Sequence, residues 1–260
     1  MIRLPPVLLA ASSALMVVLL GLPTVVLLTR AFRPAFIEAL MSSVALEALR
    51  LSFTTTAISL GLTILFGTPI AYLLARYSFP GHRLLDALLD LPLVLPPVVA
   101  GVGLLLVIGR QGLLGKPLSQ LGIGLAFTTT AVVLAQLFVA APLFIRAMKA
   151  GFGSIPPHLE AAAVTLHASR WRAFWRVTLP LTGPNFVEGC VLTWTRALGE
   201  FGATIVVAGS LIGRTQTMPL AIYATLERDL DAALSLSALL AVTAFSLLFL
   251  FRLLIRSGHR

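Results

Sequence analysis

Three charged residues, Glu188, Arg196 and Glu200, interrupt an otherwise apolar stretch at residues 183–212. A charge held within a bilayer costs several kcal/mol, so a group kept there has a partner or a task. Arg196 and Glu200 are four residues apart, which places them on one face of a helix and within reach of each other. An internal guanidinium attracts oxyanions, but the neighbouring carboxylate repels them and neutralises the site. A structural or gating pair is therefore expected over direct contact with a substrate. Gly199, Gly202 and Gly209 allow close helix approach, which suits a gate or a subunit interface, and Thr204 adds a hydroxyl to the same stretch.

Other reactive constellations are missing. Gly109-Arg110-Gln111-Gly112-Leu113-Leu114-Gly115-Lys116-Pro117 approaches a phosphate-binding loop, but its first glycine spacing is wrong and proline follows the lysine. There is no HExxH and no GxSxG, and His82, His158, His167 and His259 have no ligand spacing. Cys190 stands alone in an apolar run, where a small buried hydrophobe is expected. The chain is not expected to be an enzyme, to bind a metal or to hold a cofactor of its own.

Two weaker signals concern the path through the molecule. Leu91-Pro92-Leu93-Val94-Leu95-Pro96-Pro97 removes three backbone donors in seven residues. A bend is expected there, with freed carbonyls facing protein or water because lipid cannot satisfy them. It serves either as a packing kink or as a bend beside a pathway. The hydroxyl runs Thr54-Thr55-Thr56 and Thr128-Thr129-Thr130 each follow a phenylalanine; they either bond carbonyls one turn back or line a donor-rich path.

The elements that position these residues must cross a membrane. Of 260 residues, 58% are hydrophobic and 11% charged, and the mean hydropathy of +0.99 leaves too little polar surface to coat a water-soluble body. Uncharged runs at 4–29, 51–75, 91–109, 117–145 and 232–251 each suffice for a span of about 20 residues, and 183–212 makes a sixth. The first run exceeds the apolar core of a signal peptide, so a retained helix is expected. Nineteen Lys and Arg against ten Asp and Glu could suggest nucleic acid, but the basic residues sit between apolar runs and form no stripe. They orient spans instead. With both termini in the cytoplasm, eleven Lys or Arg fall inside and seven outside.

The longest inside connection, 149–180, is patterned. Ser154 and Pro156-Pro157 suit a helix start, and Leu159-Glu160-Ala161-Ala162-Ala163 are strong helix formers. A break follows at His167-Ala168-Ser169. Ser169 then caps a second helix with Trp171, Phe174, Trp175 and Thr178 on one face, and Pro180 is expected to end it. Without further context, such a pair could also lie on the membrane, its tryptophans in the interface and Arg172 and Arg176 near lipid phosphates.

The loop resembles the EAA loop of permease subunits of ATP-binding-cassette importers: Glu-Ala-Ala, three residues, Gly, nine residues, Ile, one residue, Leu-Pro. Ala161-Ala162-Ala163 take the first three positions, His167 the Gly, Val177 the Ile, and Leu179-Pro180 the last two. Two residues depart. Glu160 precedes the acidic position by one, and His167 replaces the glycine at a turn where positive φ is expected. The stretch 91–97, Gly109-Arg110-Gln111-Gly112, Arg196-Ala197-Leu198-Gly199-Glu200-Phe201-Gly202-Ala203-Thr204 and Thr217-Met218-Pro219-Leu220-Ala221-Ile222-Tyr223 are similar to the molybdate and tungstate branch, with sulfate permeases near it.

The resemblance implies an all-α, six-span permease of the type I importer fold in the cell membrane, both termini cytoplasmic. Residues 1–46 would form the first span and external loop, 47–252 the permease domain, and 253–260 a tail. It implies a second permease copy, two ATPase subunits that use ATP and Mg, and an external oxyanion-binding protein, with no nucleic acid. Coupling would fall to Glu160, Ala161, Ala162, Ala163, His167, Trp171, Phe174, Leu179 and Pro180. Pathway, gate or interface roles would fall to Pro96, Pro97, Arg196, Glu200, Gly202 and Thr204. The alternatives are a sulfate or thiosulfate permease, in which two different permeases can pair, a stand-alone carrier or channel, and a membrane scaffold.

Overall fold

The computed structural model describes residues 6–31, 36 and 42–257. Arg3, Arg33, Glu38 and Arg260, and the side chains of Arg252 and Arg256, enter the charge count but lie outside the described residues. Among the described residues the α-helices are α1 (Pro6–Ala31), α2 (Ser43–Arg76), α3 (His82–Val94), α4 (Pro97–Ile108), α5 (Gly115–Gln120), α6 (Thr129–Ser154), α7 (Pro157–Thr165), α8 (Arg170–Ala173), α9 (Leu179–Leu181), α10 (Gly183–Leu198), α11 (Gly202–Ala208), α12 (Met218–Leu226) and α13 (Leu230–Ser257). A π turn, Phe174–Thr178, joins α8 to α9.

Four helices, α1, α2, α6 and α13, are each long and apolar enough to cross a bilayer. Two bent pairs, α3 with α4 at 117° and α10 with α11 at 57°, are long and apolar enough only when each pair is taken together. The bend expected of the prolines at 91–97 is present, so 91–109 is not one straight helix. The bend occurs at Leu95-Pro96, and the 12 residues of α4 reach about 18 Å, short of a hydrocarbon core of about 30 Å. The run 117–145 is likewise not one span. Gly122, at φ +76°, closes the turn after α5, and α6 starts only where Thr128 accepts the Ala131 N–H. Absence of charge marks what lipid tolerates, not where backbone stays helical.

The core is built on α6, with α2 against one side and α10 against another. Ala45, Ala48, Ser52, Thr56, Ser59, Thr63, Gly67 and Ala71 recur every three or four residues along α2 and are buried. Small residues let helix backbones approach where lipid removes any hydrophobic force between spans. A Cβ on Gly67 would stand 3.1 Å from the Phe144 ring, and one on Gly189 of α10 3.0 Å from that same ring. Phe144, Met148 and Phe152, all fully buried, fill the part of this seam towards the C-terminal end of α6 by dispersion contacts. A second cluster joins α4, α6 and α11, and a third joins α2, α12 and α13. Ser52 accepts the Met218 N–H at 2.8 Å, satisfying an end of α12 inside the bundle.

The hydroxyl runs divide their roles. Thr54 and Thr55 donate to the Arg50 and Leu51 carbonyls, both at 2.8 Å. Thr56 accepts from Gln136, and Thr129 donates to the Arg214 carbonyl. Cys190 is buried and free.

Candidate coupling and pathway sites

The loop folds as an elbow. Pro157 occupies the first turn of α7, where its missing N–H costs nothing, and Glu160 sits near the positive end of that helix. Ser154 starts nothing: it closes α6, its hydroxyl donating to the Gly151 carbonyl. His167 has φ +62°, the left-handed turn expected of the position it shares with a glycine. Ser169 accepts the Arg172 N–H and caps α8. Pro180 does not end this helix. The backbone widens into the π turn, where the Leu179 N–H reaches back to the Phe174 carbonyl. The extra residue per turn makes room for the proline ring, and helix continues to Leu181.

Glu160 holds the elbow together. Its Oε1 accepts from Arg76 Nη2 at 2.8 Å and from the Thr178 hydroxyl at 2.8 Å, while Arg76 Nη1 donates to the Ile155 carbonyl at 3.0 Å. One carboxylate thus joins the end of α2, helix α7 and the π turn. Two further pairs, Arg146 with Asp90 and Lys149 with Asp86, both at 2.6 Å, fasten α3 to α6 beside it. Aromatic rings carry the contact inward: Trp171 stacks on Phe174 at 6.2 Å, and Phe174 meets Tyr72 edge-on at 5.3 Å and Phe152 at 6.1 Å. Of the four residues expected on one face, Phe174 and Thr178 turn inward whereas Trp171 and Trp175 remain exposed. Ala161, Ala162 and Leu166 are exposed, leaving the tip of the elbow apolar and uncovered. Leu179 is half-buried and Pro180 exposed.

The second constellation lies at the two broken spans. Arg196 and Glu200 pair at 2.6 Å, but not on one continuous helix: α10 stops at Leu198 and Glu200 stands in the break. Its Oε1 accepts the Ala203 N–H at 2.8 Å. The carboxylate, 1% exposed, is compensated by a guanidinium whose side chain is one-third exposed. A Cβ on Gly202 would lie 2.8 Å from that of Pro97, and one on Gly101 would lie 2.9 Å from the Ala203 Cα and carbonyl oxygen. The structure therefore brings Pro97, Glu200, Gly202 and Arg196 together at one junction of α4 with α11. Pro96 is exposed beside it, and Thr204 is buried there with a hydroxyl that has no partner.

Sequence reasoning missed Gln136 and Arg76. Gln136 Nε2 donates to the Ala197 carbonyl at 3.2 Å and to Thr56 at 3.3 Å, tying the broken helix to α6 and α2. Its signal was an amide in the middle of an uncharged run. Arg76, Asp86 and Asp90 lie beside apolar runs, and nothing local reveals partners 56 to 84 residues away. Among the described residues no three His, Cys, Asp or Glu side chains converge as metal ligands.

Residues 67–257 match the family described as binding-protein-dependent transport system inner membrane component. The chain belongs to this family. This permease is 44% identical over 228 residues to the molybdenum transport system permease protein ModB of Mycobacterium bovis, covering 88% of this chain and 86% of that protein. It is 42% identical over 204 residues to the sulfate transport system permease protein CysW of Synechococcus elongatus, covering 78% and 71%. The crystal structure of a bacterial ABC transporter that imports the acidic polysaccharide alginate has a chain that superimposes with a TM-score of 0.76 at 17% identity, covering 96% of this chain and 94% of the other. The permease has the type I importer fold and is a multi-pass membrane transport component.

Proposed function

We propose that this permease forms the membrane pathway of a molybdate or tungstate importer, the oxyanion being delivered by an external binding protein. The observation that carries the substrate is the 44% identity to a molybdenum permease across most of both chains. A sulfate cargo is the second reading, favoured by the 42% identity to a sulfate permease over 204 residues.

The elbow at 155–182 is the docking point for a separate ATPase subunit that uses ATP and Mg. Its exposed Ala161 and Ala162 let another backbone come close, and the Glu160 bonds to Arg76 and Thr178 make it rigid enough to pass displacement to α2 and α10. Ser169, capped onto Arg172, fixes the angle between its arms. Two permease copies with two ATPases complete the importer, with both termini and the elbow in the cytoplasm. The junction of α4 with α11 supplies the gate, Arg196 and Glu200 holding it shut as a neutral pair. Access then alternates as the ATPases close and part.

The test is affinity purification from native membrane through a tag after Arg260. Co-purifying proteins are identified and bound oxyanion is measured by elemental mass spectrometry. One permease species with an ATPase and molybdenum or tungsten supports the reading. Sulfur with a second permease moves it to sulfate, and no ATPase overturns the importer.

A further inference from the structure

A groove of about 780 Å³ opens between the last turns of α2 and the far arm of the elbow. Its floor is aromatic and aliphatic: Ile64, Tyr72, Phe174, Leu179 and Phe186 line it, with Trp171 and Trp175 at the rim. The part on α2 belongs to the uncharged run 51–75, an apolar surface of the kind that lipid covers. The other end meets the elbow, where Arg170 lines the groove and Arg172 and Arg176 stand exposed. None of these three arginines is within ion-pair distance of a described acidic group, whereas nearby Arg76 has Glu160. Thr68, also in the wall, carries a buried hydroxyl with no partner.

An apolar trough that starts in the span and ends under unpaired guanidiniums and two exposed indoles has the polarity profile of one leaflet. We propose that this groove binds a single anionic phospholipid, acyl chain along α2 from Ile64 to Leu73 and phosphate at Arg170. The occupant is a lipid because charge and apolar lining are ordered along the depth of the bilayer, as a lipid's own groups are. The coupling elbow then rests on a lipid on one side and on Glu160 and Arg76 on the other, so the anionic lipid content of the membrane sets how firmly the elbow is held. This deepens the reading of 155–182 as a coupling elbow.

The experiment uses the full-length permease with its co-purified partners in vesicles of equal phosphatidylglycerol and phosphatidylcholine. Photoactivatable acyl chains on one lipid or the other are cross-linked and mapped by peptide mass spectrometry. Phosphatidylglycerol is expected to label 64–77 and 170–186 in excess over phosphatidylcholine, and Arg170→Gln to reduce that excess about fivefold. Thr68→Phe, which fills the trough, is expected to abolish the labelling. Equal labelling by both lipids, or no labelling of these segments by either, overturns the proposal. Because the wild-type map needs no variant, a misfolded mutant leaves the test intact. Specific labelling without any co-purified ATPase would keep the lipid site and remove the coupling role.

Discussion

Glu200 is the residue with most to lose from a single substitution. Its carboxylate is 1% exposed and rests on one guanidinium and one backbone N–H. Arg196→Ala strands that charge and should cost on the order of 3 kcal/mol, the low end for a broken buried pair because Arg196 is itself one-third exposed. Glu200→Gln keeps one of the two acceptor oxygens and removes the charge that Arg196→Ala strands, so it should fold. The check is thermal unfolding of the purified permease beside oxyanion uptake, with Arg196→Ala lower in Tm than Glu200→Gln. His167 offers the opposite sign. Its φ of +62° is unfavourable for a residue with a Cβ, so His167→Gly should raise stability by about 0.5–1 kcal/mol, read as a higher Tm. The positive φ was legible because a glycine position and a break between two helical patterns coincide there. The Arg196 pairing was legible from its spacing, but the break under it was not. Gly199 and Gly202 read as points of close helix approach, which Gly202 makes against Pro97, but neither marked where the helix stops.

At the scale of elements, the elbow was the most readable part, since prolines, a serine cap and aromatic spacing act locally. Its fastening was unreadable, because Arg76 and Glu160 meet only after α2 and α6 have been packed side by side. Glu160→Ala removes the acceptor shared by Arg76 and Thr178 and should cost about 1–3 kcal/mol locally. Transport is expected to fall while ATP hydrolysis continues, with helicity by circular dichroism unchanged; unfolding instead would make the residue structural only. The two broken spans need their glycines for a different reason. Gly101→Leu or Gly202→Val drives a side chain into Val206, Ala203 or Pro97, and overpacking of this kind costs about 1–3 kcal/mol. Uptake should be lost in both, with the ATPase still co-purifying.

For the whole molecule, the number of crossings was set by apolar length, and orientation follows from where Lys and Arg accumulate. An enzyme reporter fused after Arg260 should be active only if it works in the cytoplasm, and one fused after Gly112 only if it works outside; the reverse pattern would invert the elbow and refute ATPase docking. What apolar length cannot show is that two of the candidate crossings are bent pairs of short helices. The halves α4 and α11 meet with no room for a Cβ at Gly101 or Gly202, where Ala203 and Val206 on one side and Pro97 on the other already fill the space. Surfaces meshed that closely do not slide. Each half follows its own bend, at Leu95-Pro96 and at Gly199–Phe201, and the close contact is expected to make the two move as paired leaves. Whatever moves one leaf, from the elbow or from the far side of the membrane, has moved the other.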